Sequence, residues 1–192
     1  MLNLFPFDTD YLLEGELENM GGTDSTVFIA LSRHIETWPT LKPNPTNDNE
    51  IAVLQGEFVM KANPDGGTFG FLQCYSTPTK TGFDGESQGE IDGKSLAVSG
   101  EIHYPGNGID AVALARKLNN AHGVAIFTDG DANRMVIGTR GRPARFAAAA
   151  MNGKSPTDPK EVVITVTADL YVIAKYNGAI PLLDGEEFPA VP

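Results

Sequence analysis

Residues 94–139 read KSLAVSGEIHYPGNGIDAVALARKLNNAHGVAIFTDGDANRMVIGT, and this stretch decides the fold. Leu96, Val98, Gly100, Ile102 and Tyr104 alternate with Ala97, Ser99, Glu101 and His103, the period of two of a strand with one buried face. Tyr104-Pro105-Gly106-Asn107-Gly108 then stops that strand. The period changes over residues 109–122, where Ala111, Leu114, Ala115, Leu118 and His122 recur at helical spacing and form one largely apolar stripe. Asp110 in the first turn suits the helix dipole, and Gly123 is the predicted left-handed cap. Residues 124–128 and 134–139 follow as strands around Asp129-Gly130-Asp131-Ala132-Asn133, a hairpin signal.

Outward from this stretch the chain reads as β. Residues 25–31 form a strand, whereas residues 33–50 carry Pro39, Pro43 and Pro45 with three asparagines and read as a long loop without regular structure. Residues 51–61 and 68–76 form a second predicted hairpin around residues 62–67. Residues 77–93, rich in glycine and acidic side chains, are either a long polar loop or a pair of poorly packed strands. The most regular alternation comes late: Val162, Ile164, Val166, Ala168, Leu170, Val172 and Ala174 are all apolar. That is one strand of roughly 43 Å at about 3.3 Å per residue, or two strands broken near Asp169. Residues 1–24 read as an arm or an edge strand, and residues 177–192, punctuated by Pro and Gly, as an extended C-terminal tail. One helix among many strands predicts a mainly β domain spanning residues 1–192, with one flanking helix and long loops.

Composition narrows the function. The formal charge of −11 argues against a protein that grips nucleic acid, which requires lysines and arginines to displace phosphate counterions. The same charge suits a surface past which DNA has to slide without sticking. No apolar run approaches the roughly 20 residues of a membrane span, so a soluble protein without a membrane partner is expected. Residues 1–11 hold two Asp and no basic residue, so no secretory signal is read there, and synthesis in the cytoplasm is expected. Cys74 is the single cysteine, which leaves no internal disulfide and no multi-cysteine metal site.

No pattern in the chain carries catalysis. His34, His103 and His122 have no ligand spacing among them, and the His34-x-Glu36 pair lacks the Pro-Cys-x-x-Cys half of a zinc deaminase signature. Asp129, Asp131 and Asn133 begin like a calcium loop, but Arg134 stands where glycine is needed and Arg140 where a bidentate Glu belongs. The glycines of residues 82–93 lack the Gly-Lys-Ser/Thr ending of a phosphate-binding loop. Cys74 lies in an apolar strand and reads as a small core residue. Arg140, Arg142 and Arg145 make the one basic cluster, which on an acidic chain suggests charge complementarity between copies. No catalytic, cofactor-binding or metal-ligating residue is therefore assigned, and no enzyme is expected.

The strand ending Ile102-His103-Tyr104-Pro105-Gly106, the helix from Ile109 to Leu118 and the strand pair after it resemble the tail tube proteins of long-tailed bacteriophages, the group known as phage major tail proteins. The resemblance covers about a quarter of the chain. It implies a β-sandwich whose copies join into rings, typically of six, with inner strands forming a continuous barrel around a DNA channel. It further implies a virion structural protein of the tail, made in the host cytoplasm, whose stacked rings conduct DNA during ejection. The implied partners are further copies, a tape-measure protein and tail-end proteins, and DNA passes through the lumen without specific binding. The tube protein of a contractile injection system would share that logic. The competing readings are a monomeric carbohydrate- or receptor-binding sandwich, which calls for exposed aromatics clustered on one face, and an enzyme built from distant strands.

Overall fold

A computed structural model of the chain describes residues 22–153, 155, 158–183 and 185–191. The long alternating segments find one another. β6 (Ser95–Pro105) and β10 (Glu161–Leu170) pair antiparallel over ten residues, from Glu161 opposite Pro105 to Leu170 opposite Leu96. β9 (Ala144–Met151) lies on the far side of β10 and β5 (Gly82–Gln88) on the far side of β6. Residues 77–93, left open between a loop and a strand pair, thus contain an edge strand held by β6.

A second leaf is built from β1 (Thr23–Leu31), β4 (Leu72–Tyr75), β7 (His122–Asp129), β8 (Arg134–Ile137) and β11 (Ala174–Lys175). Among the described residues the two leaves form one nine-stranded sheet, ordered β11-β8-β7-β9-β10-β6-β5, with β1 on β7 and β4 on β1. β7 is the branch point: residues 125–128 pair with β8, whereas only His122 and Gly123 pair with β9. The leaves fold over each other at that corner. Val27, Ile29, Phe127 and Ile137 of one leaf then share a single core with Ile102, Ile164, Val166 and Leu170 of the other, which gives the mainly β, sandwich-like architecture.

α2 (Ile109–Leu118) closes one end of that core with Ala111, Ala115 and Leu118, three members of the apolar stripe. Asp110 sits in the first turn as read. The end of the helix differs from the sequence reading. The Asn119 N–H closes it on the Ala115 carbonyl, and Asn120, at φ 63°, takes the left-handed position. Asparagine tolerates that conformation, so the chain leaves the helix three residues before Gly123. His122 is accordingly the exposed first residue of β7 and no part of the stripe.

β1 and β7 are buried on both faces, because a second core lies on the outside of their leaf. There Phe28, Ala30, Val124, Ile126 and Val136 meet Ile35, Phe58, Met60, Phe71, Tyr176, Ile180 and Leu182. Tyr176 is fully buried. Its hydroxyl donates to the Ala179 carbonyl at 2.8 Å, and its ring meets Phe58 edge-on at 5.0 Å.

This second core corrects three readings. The loop at 33–50 contains β2 (Ile35–Thr37) and leads into α1 (Asp48–Ala52), a second helix beside the one expected. Glu50 ties it together: Lys42 at 2.5 Å, then the Thr46 N–H and hydroxyl, hold its carboxyl down at about 2. The predicted hairpin around 62–67 closes only at its tip, through the Ala62–Thr68 bridge. Beyond the tip its arms diverge, β3 (Val59–Met60) pairing with β2 and β4 pairing with β1, because each buries its apolar face on a different partner.

The third correction is the expected extended tail, which folds back. β12 (Ile180–Pro181) pairs with β13 (Glu187–Phe188), placing Ile180 and Leu182 in the second core. Of the two alternatives for residues 162–174, the broken one is found: β10 ends at Leu170 and β11 leaves to pair with β8. The expected arm over residues 1–24 lies outside the described residues except for its last three, of which Thr23 and Asp24 begin β1.

Candidate assembly surface

The sheet β9-β10-β6-β5 has one face on the main core and the other open. Register defines the open face row by row: Arg145, Thr167, Ser99 and Asp84 in one row, then Ala147, Thr165, Glu101 and Gly82, with Asp169, Ala97 and Glu86 on the opposite side of the first. The side chains are small or polar, and Asp84, Glu86, Glu101 and Asp169 outnumber Arg145. Arg145 lies 3.9 Å from Asp169 with both groups well exposed, a pair that adds little to stability.

Among the described residues the β5 margin is free, whereas the β9 margin is free only beyond Phe146, whose backbone N–H and carbonyl bond the Ala121 carbonyl and the Asn120 N–H. β5 is the terminal strand, and β9 has no strand beyond it once Gly123 and His122 have paired with Ala144 and Arg145. Such margins carry rows of unpaired N–H and C=O groups, the usual template for adding another strand. The β5 margin bears Asp84 and Glu86, whereas Arg145 lies in the part of β9 already paired with His122.

At one end of the open face lies a polar cluster that the sequence patterns missed, because its members are 85 residues apart from Ser76 to Glu161. The His103 imidazole sits between two carboxylates, Nδ1 at 3.3 Å from Glu161 and Nε2 at 3.3 Å from Glu101. Lys80 Nζ lies 3.2 Å from both Glu161 oxygens. Ser76, fully buried, accepts the His103 backbone N–H at 2.9 Å and bonds the Thr81 hydroxyl. Ser, His and Glu thus come together without the geometry of a nucleophile and its base: the serine hydroxyl meets the histidine backbone and not its ring. The cluster instead pins residues 76–81 along the end of β6.

Burial works to raise the Glu161 carboxyl, but Lys80 and His103 more than offset it and hold the group below its ordinary value. A carboxyl depressed in the folded state stabilises the fold above its unfolded value of 4.5 and loses that contribution as pH falls through the folded value. Lys80→Met is therefore expected to cost about 1–2 kcal/mol at pH 7, discounted for the exposure of the lysine. In urea melts the gap from the unmodified protein should narrow below pH 4.

The other singled-out residues fall apart in space or close local structure. His34 stacks on Phe69 at 3.9 Å between ring centroids, and burial, then Arg33 and Lys61, lower its pKa. The two Asp129 oxygens accept the N–H groups of Asp131 and Asn133 and the Asn133 amide, the bonds of a turn. Cys74 is buried in the main core, where desolvation pushes its thiol up to about 12. It is expected to react with a disulfide reagent only after unfolding, so rapid labelling of the native protein would contradict its placement.

Two members of the arginine cluster meet at Asp169, whose carbonyl accepts from Arg142 at 3.4 Å and whose carboxylate lies 3.9 Å from Arg145. Arg145 faces the open sheet, Arg142 stacks on Tyr171 at 4.6 Å and donates to its hydroxyl, and Arg140 stands exposed in the loop between β8 and β9. Among the described residues no cluster of His, Cys, Asp and Glu is arranged to hold a metal ion. No protein-family model, curated protein or solved structure matches the chain.

Proposed function

We propose that the protein is a virion structural protein that assembles into the stacked rings of a phage tail tube, with β9-β10-β6-β5 as the wall of the lumen. The observation that carries this reading is the free β5 margin and, beyond Phe146, the free β9 margin of the same sheet. Four strands in strict antiparallel alternation make β5 and β9 run in opposite directions, so β5 of one copy continues the alternation when it meets β9 of the next. The contact joins two different margins, a head-to-tail arrangement that closes into a ring when the rotation permits.

The resemblance of residues 94–139 implies a ring of six, and its size follows from the strand count. Six copies of four strands, spaced about 4.8 Å and tilted about 40°, give a backbone circle about 48 Å across. That leaves a wide channel after side chains are added, lined by threonine, serine, alanine and a surplus of carboxylates that repel DNA phosphates. Conduction of DNA without binding it, the tape-measure protein inside and further rings above and below belong to the same reading. A carbohydrate-binding face has less support: the well-exposed aromatics among the described residues, Tyr75 and Tyr171, lie on separate elements.

Sedimentation over a range of concentrations tests the proposal. It expects one closed species, near six copies, to grow at the expense of the monomer. A monomer persisting at millimolar concentration across salt conditions would overturn it.

A further inference from the structure

We propose that Lys175 and Asn133 join through an intramolecular isopeptide bond, with Asp129 as the proton carrier. Lys175 Nζ donates to the Asn133 side-chain oxygen at 3.1 Å, and the Asn133 side-chain nitrogen donates to Asp129 Oδ2 at 3.0 Å. The carboxamide is thus held at both ends, its oxygen against an amine and its nitrogen against a carboxylate. All three residues are half-buried, which limits competition from water at the carboxamide carbon. The second Asp129 oxygen accepts the N–H groups of Asp131 and Asn133 at 3.0 and 2.7 Å, so the carboxylate is fixed with Oδ2 aimed at the Asn133 nitrogen.

The backbone holds both reacting residues in place. The Asn133 carbonyl accepts the Asp129 N–H at 2.9 Å, which closes the β7–β8 turn. Lys175 lies opposite Met135 in the β11–β8 pair, and its own carbonyl accepts the Leu54 N–H at 2.9 Å. Tyr176 beside it is fully buried. An amine and a carboxamide held in contact in this way react at an effective concentration that can reach about 10⁵ M, far above that of any free solute.

In the reaction the uncharged Lys175 amine attacks the Asn133 carboxamide carbon and a new C–N bond forms. Asp129, which touches the same carboxamide, takes the proton shed by the attacking nitrogen and gives it to the departing one. The old C–N bond breaks and ammonia leaves. One amine and one carboxamide become one secondary amide and ammonia, so nothing is oxidised or reduced and no co-reactant is needed. The product ties β11 to the β7–β8 turn across 42 positions, and a cross-link around that much chain restricts the unfolded state as a disulfide does.

Intact mass of the denatured full chain, followed by peptide mapping, reads the bond. Protein held at about pH 9, where more of a lysine amine is uncharged, is expected to weigh about 17 Da less than its sequence, the mass of ammonia. It should also yield a branched peptide joining residues 133 and 175. Lys175→Arg keeps the cation and its donors and should give no branched peptide, while Asp129→Asn should slow linking by about 100-fold or more. The linked form should melt several degrees above Lys175→Arg. Asn107-Gly108, Asn152-Gly153 and Asn177-Gly178 make the branched peptide the decisive signal, because cyclisation at Asn-Gly also expels ammonia but joins no two peptides. An unchanged mass, loss of ammonia without the branched peptide, or linking at the full rate in Asp129→Asn would overturn the proposal. None of these readings depends on ring assembly.

Discussion

Of proline at Glu86 and proline at Ser87, the one that removes the outward N–H is expected to abolish assembly while leaving the monomer intact. Both residues lie in β5, the margin through which the next copy is proposed to pair, and both are exposed. Successive N–H groups along an edge strand point alternately toward the neighbouring strand and toward solvent. One of the two prolines therefore removes only an outward donor, which edge strands tolerate, and the other removes only a bond to β6, at a cost to the monomer of about 1–3 kcal/mol. Every junction in a ring loses the outward bond. At about 1–2 kcal/mol each, six junctions weaken a closed ring by about 6–12 kcal/mol. Thermal melts sort the two monomers, and sedimentation reads assembly. Assembly of both variants at the unmodified concentration would remove β5 from the interface.

Gly123→Ala is expected to cost about 3–5 kcal/mol for a single added methyl. Gly123 stands at the branch of the sheet, opposite Leu31 on one side and Ala144 on the other. A Cβ there would lie 2.0 Å from the Ala30 carbonyl oxygen and 3.0 Å from the Leu31 Cα. Backbone on β1 cannot retreat, since Val27, Phe28, Ile29 and Ala30 are buried between two cores. The corner is tight on its other side as well: a Cβ on Gly138, at φ 111°, would approach the Gly123 oxygen to 2.7 Å. For a chain of this size the loss corresponds to a fall in Tm of about 10 °C. Gly141→Ala, which meets nothing within 4 Å, is the control and should melt within about a degree of the unmodified protein.

Gly123 also shows how far the chain could be read without its fold. Its place after the helix makes it look like a cap, and local spacing cannot reveal the strand that crosses it 93 residues earlier at Ala30. β6, β10 and α2 are legible because each has one buried and one open face, so their periodicity survives in the sequence. β1 and β7 are legible as strands, but a run such as Val124 to Phe127 gives no sign of the second core. That core is assembled from Ile35, in a stretch that reads as loop, from Phe58, Met60 and Phe71, which read as arms of a single hairpin, and from Tyr176, just before the expected tail. The tail at 177–191 was hidden in the same way, Gly178 and Pro189 masking a turn that returns Ile180 to the interior.

The open face was legible in its alternation but its margins were not. Whether β5 and β9 have neighbours depends on pairings between distant segments, and glycines with carboxylates make residues 82–88 look unlike a strand. The cluster of Lys80, His103 and Glu161 is equally a product of register: Val163 opposite His103 brings Glu161 within reach of the imidazole.

Electron microscopy of the concentrated, unmodified protein tests the central claim most directly. Closed rings, stacking into tubes, with a lumen lined by a continuous sheet in which β5 of each copy meets β9 of the next are the expected result. Images of dispersed single chains, or of rings joined through surfaces other than these two margins, would contradict it.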